Sequence, residues 1–191
     1  GFAPVHDHDH DRLISLMEGV EDIPDVVLTE GLEWNWNSFS DYLNVLDNKG
    51  FDMDIGAQIP HGALRLYVMG QRGADRESAT EDDIKKMAEL SAEAIENGAI
   101  GFTTSRTVFH KTSKGELVPS FDAAGNELIQ IAKEIGKTGK GVLQLVSDFL
   151  GGYDEFKMLE KMVEESGCPI SITLAQTDGT KYDYKDLLGW I

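Results

Sequence analysis

The chain has 191 residues, 41% of them hydrophobic, and 17 Lys and Arg against 34 Asp and Glu give a formal charge of -17. That is enough apolar material for one sizeable core and too little for two ordinary domains with a linker, so one domain, or one piece of a larger one, is expected. The acidic balance and the lack of any basic run leave no footprint for a nucleic-acid backbone and disfavour anionic membrane surfaces, and no apolar run approaches the roughly 18 residues of a membrane span.

Taken in order, Phe2 to Val5 reads as the tail of a strand, and the run His6-Asp7-His8-Asp9-His10-Asp11 follows it. Asp9 or Asp11 can then cap a helix over Arg12 to Glu18 with Leu13, Leu16 and Met17 on one face. Residues 19–33, with Gly19, Pro24 and Gly31, read as a loop, and Trp34 and Trp36 as packing it onto the body. Ser38 can cap a helix over Asp41 to Asn48, closed by Gly50. Met53 to Gly62 is an apolar strand pattern ending at Pro60 and Gly62, followed by Ala63 to Met69 and a polar loop.

Thr80 with Asp83 three residues on is a capping-box signature, opening a strongly periodic helix from Ile84 to Glu96 that Asn97-Gly98 stops. Ala99 to Ser105 is a strand of the buried sort, and a loop rich in Lys, Ser and Gly runs on to Pro119. Helix from Asn126 to Lys137, strand from Gly141 to Val146, helix from Asp154 to Glu165, strand from Pro169 to Leu174 and a helix from Lys185 complete the pattern. Cys168, the single cysteine, excludes an internal disulfide, reads as a small buried residue beside a strand and fits a reducing, cytoplasmic setting. No initiator Met precedes Gly1, and the apolar pattern stops uncapped at Ile191, so both ends read as breaks in a longer protein.

Regular alternation from residue 53 onward means βα units and a parallel sheet. No GxGxxG follows a strand and no GxxxxGK[ST] is present, which favours a barrel over a nucleotide-binding fold. About five strand candidates fall short of the eight that a (β/α)8 barrel needs, so the expected architecture is a partial TIM barrel.

Barrel chemistry sits where strands end and loops begin, and that rule selects candidates without any motif. His61, between Pro60 and Gly62, is the leading catalytic candidate, because a neutral imidazole there can move a proton or ligate a metal; a buried, backbone-bonded histidine is the alternative. Arg65 and Arg106 each follow an apolar or hydroxyl-bearing strand, where a guanidinium can hold a substrate carboxylate bidentately or form a structural salt bridge. Ser105, Gln144, Asp148 and Gln176 are further substrate-binding candidates, and Ser147 and Asp178 also stand at strand ends. No GxSxG elbow surrounds Ser105.

The segments GFAPV, LMEGVEDIP (Leu16 to Pro24), the Glu-Gly-Leu-Glu-Trp stretch from Glu30, DIGAQIPHGALRLYVMGQRGA (Asp54 to Ala74) and ENGAIGFTTSRT (Glu96 to Thr107) are long and ungapped. Together they resemble the N-acyl-D-amino-acid deacylase, or D-aminoacylase-like, branch of the amidohydrolase superfamily, across nearly the whole chain. The resemblance implies a metal-dependent (β/α)8 barrel in which zinc-activated water hydrolyses a linear amide, typically an N-acyl amino acid. It further implies that residues 1–191 are the central part of one barrel domain. A β-sandwich, the first strand with its His-x-His and a cysteine ligand would come before it, and a catalytic Asp after it, so that the piece alone would be inactive.

Two more family ligand histidines would fall near Val146 and near Leu174 or Ala175, and neither position is histidine in this chain. His61 is expected in the parent's site as a substrate-contacting or supporting residue, with Arg65 or Arg106 on the substrate carboxylate. The run from His6 to Asp11 mimics His-x-His, but only Phe2 to Val5 precede it. It is expected to be solvated helix-capping sequence in which His6, His8 and His10 bind divalent ions only loosely. Two alternatives stand beside the deacylase reading: an amidohydrolase with a different metal set, and a non-catalytic barrel-derived homo-oligomer with strand edges paired between copies.

Overall fold

A computed structural model describes residues 1–174 and 184–190. A 3-10 turn, Asp7–Asp9, leads into α1 (His10–Glu21), α2 (Asp25–Gly31) and α3 (Phe39–Lys49). There follow β1 (Gln58–Pro60), α4 (His61–Met69), α5 (Gln71–Ala74), α6 (Glu81–Glu96), β2 (Gly101–Arg106), α7 (Gly125–Gly136), β3 (Val142–Ser147), α8 (Tyr153–Ser166), β4 (Ile170–Ile172) and α9 (Tyr184–Leu188). The four strands form one parallel sheet in the order β1-β2-β3-β4, each joined to the next through helix, as in a piece of a (β/α) barrel.

Local chemistry explains the helices. In α6 both halves of the capping box form: Thr80 Oγ1 accepts from the Asp83 N–H and the Asp83 carboxylate from the Thr80 N–H. Ser38 and Asp41 do the same for α3. Buried Met87, Ala88, Ser91, Ala94 and Ile95 on α6, and Leu128, Ile131, Ala132 and Ile135 on α7, recur at helical spacing and turn one stripe to the sheet. Gly136 lets the end of α7 lie against α8, since a Cβ there would meet the Ser166 carbonyl oxygen at 2.2 Å.

β2 and β3 pair along their whole length, from Gly101↔Val142 to Arg106↔Ser147. Side chains alternate across a strand, and here the alternation divides the sheet chemically. Phe102, Thr104, Leu143 and Leu145 are buried on the helix side. Thr103, Ser105, Gln144 and Val146 are half-buried and share the opposite, concave face, which is largely polar.

Several sequence expectations change. Phe2 to Val5 joins no ladder; Ala3 and Val5 are buried, but the one sheet-like bond is from the Val5 N–H to the Asn37 carbonyl. Residues 25–31, read as loop, are helix, with Leu28 buried against Ile14 and Met17. The strand expected from Met53 shrinks to Gln58–Pro60, because residues 53–56 are exposed and only the last three pair with β2. Asp9 precedes α1 without capping it: its carboxylate, 2% exposed, accepts from Arg12 at 2.8 Å instead. Nor is the histidine run merely solvated, since His6 stacks on Tyr67 at 4.0 Å between ring centroids and His10 on Trp34 at 4.3 Å, while the largely exposed His8 stacks on His6 at 5.5 Å. Trp36 is buried and donates to the Phe2 carbonyl, tying the 32–37 loop to the chain start. Cys168 is a buried free thiol just before β4.

Candidate active site

Polar groups gather in two places, one under β1 and one at the carboxyl ends of β2 and β3. Beneath β1, His61 opens α4 and is fully buried, between the ring of Phe102 and two polar partners. Its Nδ1 lies 2.9 Å from Thr104 Oγ1 and its Nε2 2.7 Å from Glu127 Oε1. Burial lowers the imidazole pKa, outweighing the opposing pull of Glu127, so the ring is neutral. Nε2–H then donates to the carboxylate and Nδ1 accepts from the threonine hydroxyl, leaving no ring nitrogen unsatisfied.

Glu127 also receives both of its oxygens' contacts from Arg65 Nη1, at 2.6 and 2.5 Å, while Arg65 Nη2 donates to the Glu77 carbonyl at 2.5 Å. Burial alone would push the Glu127 carboxyl up; the bonds and charges of His61 and Arg65 overcome it and hold the group below its usual range. Arg65 is 1% exposed, with Nε buried and unpartnered. Its terminal nitrogens are therefore engaged within the fold, as a structural ion pair and not at a substrate carboxylate. His61 is likewise closed off from solvent by its own partners.

The second group is open. At the end of β2, Ser105 Oγ sits 2.7 Å from His110 Nδ1, and the Ser105 carbonyl accepts from the Ser120 hydroxyl. Asp148, just past β3, accepts from Thr107 Oγ1 at 2.6 Å and from the Val108 N–H at 2.7 Å, so its carboxylate shapes the β2–α7 loop. Arg106 turns to the helix side, donating from Nε to Glu155 and from Nη1 to the Ala123 carbonyl. Ser147 donates to the same Glu155 oxygen at 2.6 Å. Gln144 stays on the concave face beside Thr103, its register partner. Gln176 and Asp178, and the Ala175 position, lie outside the described residues.

Of the residues singled out from sequence, the structure brings Ser105 and Asp148 to one rim and leaves Gln144 deeper on the same sheet face. It sends His61, Arg65 and Arg106 to the helix side. Sequence reading passed over His110, Glu127 and Glu155. The two glutamates did carry a signal: each sits in the first turn of a helix on the otherwise apolar stripe, beside Leu128 and Ile131 or Phe156 and Leu159. A carboxylate on a core-facing stripe calls for a buried partner. His110, in a polar loop, carried none.

Among the described residues no group of three or more His, Cys, Asp and Glu is placed to hold a metal ion. The strand ends supply hydroxyls, an amide and the already engaged Asp148, so these residues do not fit a metal centre.

Comparison with known proteins gives a consistent set of likenesses. The chain matches the amidohydrolase family over residues 3–189. A curated D-aminoacylase of Alcaligenes xylosoxydans xylosoxydans is 27% identical over 113 residues, 59% of this chain and 21% of that protein. A solved structure on the functional role of the binuclear metal center in D-aminoacylase is 25% identical at a TM-score of 0.56, covering 78% of this chain and 29% of the other. A D-aminoacylase mutant solved in complex with CuCl2 gives the same figures. A third structure, of a D-aminoacylase described as defining a novel subset of amidohydrolases, matches at 23% identity and the same TM-score of 0.56 over 90% of this chain and 40% of that one, and speaks for the fold alone. The chain thus spans about a fifth of the curated relative's length.

Proposed function

The chain belongs to the amidohydrolase family, and from that premise we propose that the protein carrying it hydrolyses the C–N bond of a linear amide, with a small N-acyl amino acid of D configuration as substrate. The single observation that supports this most is the polar rim at the carboxyl ends of two adjacent parallel strands, with Ser105, His110 and Asp148 on a sheet whose other face is closed by helices. In this reading Ser105, Gln144 and Asp148 meet the substrate or its loop, Gln176 belongs to the same set, and His61, Arg65 and Arg106 act as positioning residues beneath it. The chain forms the central part of a single barrel domain.

Zinc is the ion proposed with this activity, supported by the family resemblance and by the metal center named for a solved relative. The described residues do not assemble its donors, so the work assigned to them is binding, orientation and proton transfer. A cytoplasmic setting is proposed with it, supported by the lone, buried cysteine. The test is amine release from N-acetyl-D-amino acids and from their L enantiomers, by the protein in its full natural length. Release from the D series alone supports the reading, and none from either overturns it.

One observation favours self-association as a second reading. Among the described residues β1 and β4 end an open parallel sheet, and unpaired strand edges pair readily with another chain. Sizing chromatography of the 191-residue chain should then give a dimer or larger, and a monomer at high micromolar concentration removes this reading.

A further inference from the structure

We propose that Ser105 and His110 form an acyl-accepting pair at the sheet's rim, able to take a short apolar acyl group from a carboxylic ester onto the serine without any metal ion. Four observations carry it. Ser105 Oγ and His110 Nδ1 are 2.7 Å apart, within the range at which a base can take a hydroxyl proton. Both residues are only half-buried, unlike the Thr104–His61 pair, which is sealed in the core. The imidazole is held in its proton-accepting form, because burial lowers its pKa more than the nearby carboxylates of Glu21 and Asp148 raise it. Finally, Val108 and Phe109, next to His110 in the chain, are 38% and 72% exposed and offer apolar surface on the loop that carries the base.

The loop that delivers His110 is fixed in advance. Asp148 holds its start through Thr107 and Val108, and the His110 N–H donates to the Thr107 carbonyl. Beyond His110, Lys111 bridges to Leu117, the Ser113 N–H donates to the Ser15 carbonyl of α1, and Arg76 donates to the Leu117 carbonyl. Gly19 of α1 makes this approach possible: a Cβ there would lie 2.1 Å from the Lys111 carbonyl oxygen. A nucleophile and base positioned before substrate arrives need little reorganisation.

The step balances within the pair. The Ser105 hydroxyl proton passes to His110 Nδ1 as Oγ bonds to the ester carbonyl carbon, and that proton then leaves with the departing alkoxide as an alcohol. The product is an acyl ester on Ser105; water, deprotonated by the same imidazole, releases the carboxylic acid and restores the serine. Amide hydrolysis by the family's route is not required, so failure of the deacylase test leaves this proposal standing.

The experiment treats the full 191-residue chain, in the presence of a chelator, with an alkyl fluorophosphonate and with p-nitrophenyl acetate, followed by intact mass and peptide mapping. One adduct per chain on Ser105 is expected, absent in Ser105→Ala and formed about 10²-fold more slowly in His110→Gln. Ser105→Cys provides a check that does not depend on the fit of the phosphonate: its new thiol should react with iodoacetamide at neutral pH faster than buried Cys168 does, and slow on adding His110→Gln. An adduct mapping to Ser113, Ser120 or Ser147, no adduct at all, or rates indifferent to His110→Gln would overturn the proposal.

Discussion

Removing Glu127 should be among the costliest single changes in the protein. Glu127→Ala deletes the side-chain counter-charge bonded to Arg65, which is 1% exposed and already carries one unpartnered nitrogen, and it strips Nε2–H of His61 of its acceptor. Breaking a buried pair from one side costs about 3–5 kcal/mol, because the remaining charge has neither solvent nor counter-charge, only the Glu77 carbonyl. With a urea dependence of about 2 kcal/mol per molar, the unfolding midpoint should fall by roughly 2 M. The double variant Glu127→Leu, Arg65→Met removes both charges; the carbonyl of exposed Glu77 can turn to water, and the buried His61 donor left unpaired costs about 1–3 kcal/mol. It should therefore be more stable than Glu127→Ala. Equilibrium urea unfolding followed by circular dichroism measures both. A single variant costing less than about 1 kcal/mol, or a double variant worse than the single, would refute the view that Arg65 is a buried, Glu127-dependent cation.

The same cluster sets a pH dependence. His61 titrates below its ordinary 6.5 in the folded state, so the unfolded chain binds the proton first and stability falls as pH drops below about 6.5; Glu127, also lowered, adds a loss below about 4.5. His110 is shifted in the same direction, so comparing His61→Asn with His110→Gln in urea titrations at pH 7.5 and 5.5 separates the two, and an unchanged slope in His61→Asn would exclude the buried imidazole as its source. Gly19→Ala should raise amide exchange at residues 111–113 and slow labelling of Ser105 while leaving the sheet's protection intact. Gly136→Ala, whose Cβ would press on the Ser166 carbonyl, should lower stability by about 1–3 kcal/mol in thermal or urea unfolding without affecting that labelling.

Much of the architecture was legible because it rests on local rules. Thr80 with Asp83 and Ser38 with Asp41 announce their helices through caps, and the apolar runs of β2 and β3 announce buried strands. Where the reading failed, long-range contacts decided. Residues 53–56 have a strand-like pattern, yet only Gln58–Pro60 finds a neighbour to pair with. Asp9 looks like a cap but is captured by Arg12, one turn along. At the candidate site, the position of Ser105 and Asp148 at strand ends was legible, since it follows from the strand boundaries alone. Which way an end residue turns depends on partners far away in sequence: Arg106 goes to Glu155, 49 residues on, and His61 to Glu127, 66 residues on. No local pattern encodes those pairings.

The division of the sheet into an apolar and a polar face bears on how this chain tolerates change. Along Gly101–Arg106 and Val142–Ser147, neighbouring positions answer to different constraints: Phe102, Leu143 and Leu145 to tight packing, and Thr103, Ser105 and Gln144 to water and whatever enters the concave side. A saturation scan scored for folding should thus show tolerance rising and falling with a period of two residues along each strand. Drift in sequence would accumulate on the concave positions, so this protein can acquire new chemistry there while its folding remains governed by the alternate set.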